Sequence, residues 1–250
     1  MFAMNASFFP FDRPPLLRPA TRWLVWATIC LGLAAPMAAW GQQTNTFRFT
    51  INKPVPDANL GGVSNLQSIS LPGTVTKVTV TLDLVGTGQG GVNGDMYAAL
   101  TRNGSYPTAV LLNSPGRTAA NSVGYTDNGL DFTFDDTAAT DSHLYQTGTY
   151  TTDPTSGQVS GTFQPDGREG PRAKDTSSRT VMLSSFNGSL AGGNWLLFVS
   201  DTSAPPNGKT ETVTDWSLTI VTVPEPSAAS LCIVGLAAMS WLVFLKKKKS

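Results

Sequence analysis

Residues 75–84 read Val-Thr-Lys-Val-Thr-Val-Thr-Leu-Asp-Leu, and this alternation constrains the chain more than any other stretch. Val78, Val80, Leu82 and Leu84 fall on one face and Lys77, Thr79, Thr81 and Asp83 on the other. Only a strand, with its period of two, separates them so. Weaker versions recur along the chain. Residues 46–51 put Phe47, Phe49 and Ile51 on one side, and 212–221 do the same with Trp216, Leu218 and Ile220. Short strands are expected at 66–71, 95–101, 109–112, 131–134 and 161–164, and a short element at 182–186. At 194–199, Trp195, Leu197 and Val199 alternate with Leu196 and Phe198, so both faces are apolar and the strand is predicted to be central. Turn residues punctuate the series: Pro54, Pro56, Gly61-Gly62, Pro72-Gly73, a glycine-rich loop at 86–94, Asn103-Gly104 and Pro205-Pro206-Asn207-Gly208. From 138 to 180 the pattern fades, which predicts long loops, with 166–178 mobile. Eight or more short strands without an amphipathic helix predict an all-β fold, a β-sandwich.

Two apolar segments bracket this middle. Arg13, Arg18 and Arg22 precede an apolar run at 23–35, and the small residues Ala38, Ala39 and Gly41 follow it. That order reads as a secretory signal peptide over 1–41, cut by signal peptidase after Ala39 or Gly41; a retained signal anchor is the alternative. At the other end, residues 223–227 read Val-Pro-Glu-Pro-Ser, followed by an uncharged apolar run at 228–245 and by Lys246, Lys247, Lys248 and Lys249. As a helix the run spans roughly 27 Å, just under a bilayer's hydrocarbon thickness. The lysines would stop transfer in cytoplasmic water and leave everything upstream outside the inner membrane. Pro224 and Pro226 keep the preceding segment extended.

Composition matters once these ends are set aside. Cys30 and Cys232 both lie in them, so the stretch 42–222 has no disulfide and must be held by its core. About 180 residues suffice for one domain. The chain as a whole carries no net charge, but 42–222 holds ten basic against fifteen acidic residues. A charge near −5 argues against nucleic acid or an anionic lipid surface as the partner of that stretch.

The order of polar motif, marginal span and basic end resembles the PEP-CTERM sorting signal of Gram-negative surface proteins, with Pro224-Glu225-Pro226 matching its name motif. The tail departs from the usual arginine-rich form in being all lysine. The resemblance implies handling by an exosortase, a membrane protease-transpeptidase, and a cell-surface or extracellular destination after transient anchoring. An uncut single-span anchor is the alternative. The middle resembles the P/homo B domain that follows the catalytic domain of subtilisin-like proprotein convertases. The match rests on Gly61-Gly62-Val63-Ser64, Val78-Thr79-Val80-Thr81-Leu82-Asp83, Gly94-Asp95-Met96 and Thr133-Phe134-Asp135-Asp136. It continues through Gly161-Thr162-Phe163-Gln164-Pro165, residues 183–188, Gly193-Asn194-Trp195-Leu196-Leu197 and Asp215-Trp216-Ser217-Leu218, all in the family's order. It implies a jelly-roll sandwich that stabilises or regulates an attached protease, although no protease is attached here.

Catalytic chemistry is sparse. His143, next to Asp141 and Ser142, is the only histidine and is expected on a solvated loop, where adjacent residues cannot build a triad. One histidine without cysteine cannot hold zinc, and the glycine loop lacks the lysine of a phosphate loop. Calcium is the remaining candidate cofactor. Asp83, Asp95, Asp135, Asp136 and Asp201 fall at strand ends, and the adjacent pair Asp135-Asp136 calls for a cation or an arginine. The competing reading is that these aspartates cap turns. Trp195 and Trp216 are expected in the core rather than on a sugar-stacking platform. The sequence therefore predicts a noncatalytic exported surface or matrix protein in an exopolysaccharide and biofilm setting. The alternative is a free-standing P-like accessory domain that binds a secreted subtilisin-like protease in trans.

Overall fold

The computed structural model describes residues 41–86, 92–203, 211–224, 235–236 and 239–241. The expected signal segment, apart from Gly41, lies outside the described residues. So do Glu225, Pro226, the four lysines, most of the apolar run and the Pro205–Gly208 turn. Among the described residues no helix is long and apolar enough to cross a membrane.

The described residues form ten strands: β1 (Gln43–Pro54), β2 (Val63–Ile69), β3 (Thr74–Gly86), β4 (Met96–Arg102), β5 (Ser105–Asn113), β6 (Gly129–Phe134), β7 (Thr151–Thr152), β8 (Val159–Phe163), β9 (Gly193–Asp201) and β10 (Glu211–Val223). They form a six-stranded sheet, β1-β10-β3-β6-β8-β7, and a four-stranded sheet, β2-β9-β4-β5. The expected all-β sandwich is what the chain adopts. All pairings are antiparallel except β6 with β8, which run parallel over residues 130–134 and 159–163, a departure from a purely antiparallel jelly roll.

The alternating positions make the core. Val78, Val80, Leu82 and Leu84 of β3 are buried against Leu130, Phe132 and Phe134 of β6 and Trp216, Leu218 and Ile220 of β10. Val75 is also buried, although its spacing to Val78 breaks the period. A register shift where β10 pairs with Lys77 and then with Val75 absorbs the odd residue and returns Val75 to the inner face. β9 is central in its sheet, between β2 and β4, as its two-sided apolarity requires.

One expectation fails locally. The strand predicted at 66–71 runs instead over Val63–Ile69, with Leu66 pointing out and 59% exposed. Its inner face is Val63, Asn65, Gln67 and Ile69, so polar side chains stand where alternation from Leu66 would put apolar ones. Asn65 is there to accept from the Trp216 indole at 3.0 Å across the sandwich. The short element at 182–186 is a 3-10 turn, Leu183–Phe186, which packs Leu183 and Phe186 into the core.

Candidate functional site

Three places in the sandwich gather polar or exposed groups that the core does not explain. The first surrounds His143. A 3-10 segment, Ser142–Thr147, begins where the Asp141 carboxylate accepts from the Leu144 N–H at 2.9 Å. The next residue, Ser142, is buried and donates its hydroxyl to the Leu111 carbonyl at 2.7 Å. His143 is fully buried, not solvated as expected from the sequence. Its Nδ1 lies 2.9 Å from the Asp166 carboxylate and 3.1 Å from the Asn113 carbonyl, and its Nε2 lies 2.8 Å from the Arg117 carbonyl. Both ring nitrogens therefore face acceptors only, an arrangement that suits the imidazolium. Burial pulls the His143 pKa down, but the Asp166 hydrogen bond and charge and the Arg117 carbonyl together raise it above the ordinary value.

Cations continue the seam. Arg168 meets Asp166 at 3.1 Å and Asp141 at 3.6 Å, and its guanidinium also donates to the Asp175 carbonyl. Arg179 donates to the carbonyls of Pro165 and Asp166 and to the Gln164 side chain, 3.7 Å from Asp141. Of residues 166–178, expected as a mobile loop, the first three are buried, with Asp166 and Arg168 held by these contacts, while 169–172 and 176–178 are exposed. Irregular backbone at 166–168 can be buried because side-chain charges meet its carbonyls and N–H groups. Asn113 adds two donations, to the Arg168 and Gly170 carbonyls at 3.2 and 2.7 Å. Nearby, the buried Tyr145 hydroxyl makes a short hydrogen bond to Asp127, and burial followed by that carboxylate pushes the phenol well above its ordinary range.

The second place is an acidic pole at the start of β10. Asp95, Asp201 and Glu211 are all buried there. Burial raises Asp95 to about 6 despite the nearby guanidiniums of Arg117 and Arg172. Asp201 is raised to about 6, first by burial and then by the charges of Asp95 and Asp57, although the Ser203 N–H opposes this from 3.0 Å. Glu211 is raised to about 7 by burial, against the Val92 N–H that it accepts at 2.7 Å.

Of the aspartates proposed for calcium, Asp95 and Asp201 thus share this pole, while Asp135 and Asp136 lie elsewhere. Asp135 pairs with Lys77 at 2.7 Å and accepts from Thr137. Asp136 accepts from the Leu183 and Ser184 N–H groups at 3.1 and 2.7 Å and so caps the 3-10 turn. The repulsion within the adjacent pair is relieved by a lysine on one side and a helical N-terminus on the other. Asp83 accepts from Gln158 at 2.6 Å. Among the described residues no three or more histidine, cysteine or carboxylate groups converge as metal ligands.

Three aspartates do line up on the outer face of the large sheet. Asp215 pairs with Asp83, and Asp83 with Asp131, across β10, β3 and β6. Burial, then the Asp83 charge, raises both Asp131 and Asp215 above the ordinary carboxylate value. Sequence reasoning missed this row because its members are 132 positions apart; only sheet register brings them together. The outward phase of each residue was the one signal available.

The third place is the opposite end of β10. A shallow apolar hollow of about 500 Å³ is lined by Gln43, Leu71, Pro72, Gly73, Leu190, Gly192 and Pro224. It is fixed by backbone bonds, from Ala191 to Gly73 at 2.9 Å and from Val75 to Ser189 at 2.8 Å. Gly73 (φ +100°) is required at its floor, where a Cβ would come within 2.8 Å of the Val223 carbonyl. Pro224, the first proline of the expected sorting motif, follows β10 directly. Trp195 and Trp216 are both fully buried: the Trp195 indole donates to Ala191 at 3.1 Å under the Arg102 guanidinium, and Trp216 packs on Phe49.

No protein-family profile matches the chain, and no curated protein matches it. Among solved structures, the complex of the Aeromonas sobria serine protease with its chaperone (ORF2) is similar at TM-score 0.41 and 16% identity, over 78% of this chain and 30% of that one. The serine protease of Aeromonas sobria is similar at TM-score 0.41 and 17% identity, over 76% of this chain and 28% of that one. The chain thus spans under a third of the length of the structures it matches.

Proposed function

We propose that this is a noncatalytic exported protein whose sandwich supplies shape and surface, delivered by a signal peptide and held at the inner membrane by its C-terminal run until an exosortase acts at Pro224-Glu225-Pro226. The observation that carries the noncatalytic part is the state of His143. The one histidine is sealed from solvent with both ring nitrogens engaged, and its neighbour Ser142 spends its hydroxyl proton on a backbone carbonyl. A general base needs a free lone pair within reach of a substrate, and a nucleophile needs an exposed oxygen. Neither is offered there. Export is supported by the order of the two apolar ends. The surface then serves adhesion, matrix building or partner binding, with exopolysaccharide as the partner class.

A second reading has its own support. The motifs that resemble a P/homo B domain supply buried strand residues, Phe134, Phe163, Trp195 and Trp216 among them. A free-standing domain of that kind would bind a secreted subtilisin-like protease in trans.

Cell fractionation with intact-mass measurement of the full-length gene product tests the first reading. The expected product begins just after Ala39 or Gly41, ends near Pro226, and appears at the surface or in the medium. An unprocessed chain ending at Ser250 in the cytosol would overturn it. Co-purification of stoichiometric protease with the processed form would favour the second.

A further inference from the structure

We infer that the hollow at the end of β10 is a membrane-resting face: while the chain is anchored, Leu190, Leu71, Pro72 and Pro224 lie against the lipid surface of the bilayer that holds it. The inference rests on the proposed C-terminal anchor and adds an orientation to it.

Tether length is the first argument. Three residues separate Pro224 from the apolar run that begins at Ala228. Even fully extended, four Cα steps reach about 14 Å, so the end of the sandwich bearing Pro224 cannot leave the interface. The second argument is what that end presents. Leu190 is 60% exposed, Pro72 is exposed, and Leu71 and Pro224 are half-buried around an apolar hollow. A rigid exposed apolar patch beside a lipid surface gains by leaving water.

Charge is the third argument. The segments that surround the hollow, 41–44, 70–73, 103–104 and 187–193, contain no aspartate, glutamate, lysine or arginine. Of the charges farther along the same end, Asp135 is paired with Lys77 at 2.7 Å and Asp136 is held by the Leu183 and Ser184 N–H groups, and Glu225 follows in the tether. Arg102 is buried at this end, its guanidinium donating to the Gly192 carbonyl at 2.5 Å. The acidic pole with Asp57, Asp95, Asp201 and Glu211 lies at the far end of the same strand, twelve residue steps from Val223, or roughly 40 Å. Anionic headgroups repel that pole and tolerate the uncharged rim of the hollow. Bulk negative charge, which argues against anionic lipid as a partner for the sandwich as a whole, is therefore compatible with a neutral contact face at one end.

The test uses the full chain from Gln42 to Ser250, with Cys232→Ser, reconstituted in vesicles of phosphatidylethanolamine and phosphatidylglycerol. Leu190→Cys carries an environment-sensitive fluorophore. Leu60→Cys, equally exposed at 60% but near the acidic pole, carries the same one as a reference. Spin-labelled lipids are expected to quench the label at 190 several times more than the label at 60, and Pro72→Asp is expected to abolish the difference. Equal quenching at both sites, or quenching at neither while the protein still floats with the vesicles, overturns the resting face and leaves the anchor standing. A protein that does not float at all overturns both.

Discussion

Trp216 and Asp166 are both wholly buried, and they hold the molecule by opposite means. Trp216 sits in β10 at an inward position of an alternating strand, tilted against Phe49 at 4.7 Å, with its single polar atom satisfied by Asn65. Asp166 sits in irregular chain beyond β8. It is buried only because His143 and Arg168 meet its two oxygens at 2.9 and 3.1 Å. The first region gains by removing apolar surface from water, a roughly additive effect. The second recovers a desolvation cost by pairing, so every partner depends on the others. Strands could carry a binding surface by themselves. The seam is what allows residues 138–180, with little regular structure, to cover one side of the core.

The largest effect expected is in the strand core. Trp216→Ala should cost about 3–5 kcal/mol and leave little folded protein, because the cavity spans both sheets. Denaturant unfolding followed by circular dichroism measures it; a loss under about 1 kcal/mol would mean the sheets are not joined at this ring. Somewhat less is expected at the seam. Asp166→Asn keeps the shape but strands two buried cations, at a cost of about 3 kcal/mol. The comparison is sharpened by the pair His143→Gln with Asp166→Asn. In a seam the double variant should lose at least about 1 kcal/mol less than the sum of the singles. Simple additivity would place His143 and Asp166 in independent packing sites and erase the distinction.

That distinction also marks what the sequence made legible. Alternation at 75–84, 194–199 and 212–221 located β3, β9 and β10, because a buried face leaves a period-two trace in residue type. The polar inner face of β2 left no such trace, since Asn65 answers to an indole on another strand. The seam was invisible for a similar reason. Asp141, His143, Asp166, Arg168 and Arg179 look like the solvated charges of a loop, and only their mutual approach makes burial affordable. Asp135 and Asp136 drew notice as a pair, but each answers to a different partner. The acidic pole was half legible: Asp95 and Asp201 were singled out, whereas Glu211 was not, being the first residue of a strand just after a turn-rich stretch.

The acidic pole supplies the smallest and most diagnostic effect, because its buried charges lack the full set of cations that the seam has. Asp95 and Asp201 are raised from 3.8 to about 6 and Glu211 from 4.5 to about 7. A carboxyl with a raised folded-state pKa binds protons more tightly when folded. Its stabilising contribution is complete below the unfolded value and is lost as pH climbs through the folded one. These three groups therefore erode stability between roughly pH 4 and 7. His143, also raised, keeps its contribution below 6.5 and loses it at higher pH, so both regions act in the same direction. Asp135, lowered by Lys77 and Thr137 against the cost of burial, works oppositely but only in acid below its ordinary value. The melting temperature should accordingly be higher at pH 5 than at pH 8. Asp201→Asn keeps an acceptor for the Ser203 N–H and removes one repelling charge. It should raise stability at neutral pH by about 1 kcal/mol, or about 2–4 °C for a domain of this size, and flatten the acid half of the pH curve. The alkaline half, set by His143, should remain. If Asp201→Asn melts with the unaltered pH slope of the parent, the pole's carboxyls are not repelling one another and the contrast with the compensated seam fails. If the slope vanishes on both sides of pH 6.5, the two regions titrate as one unit.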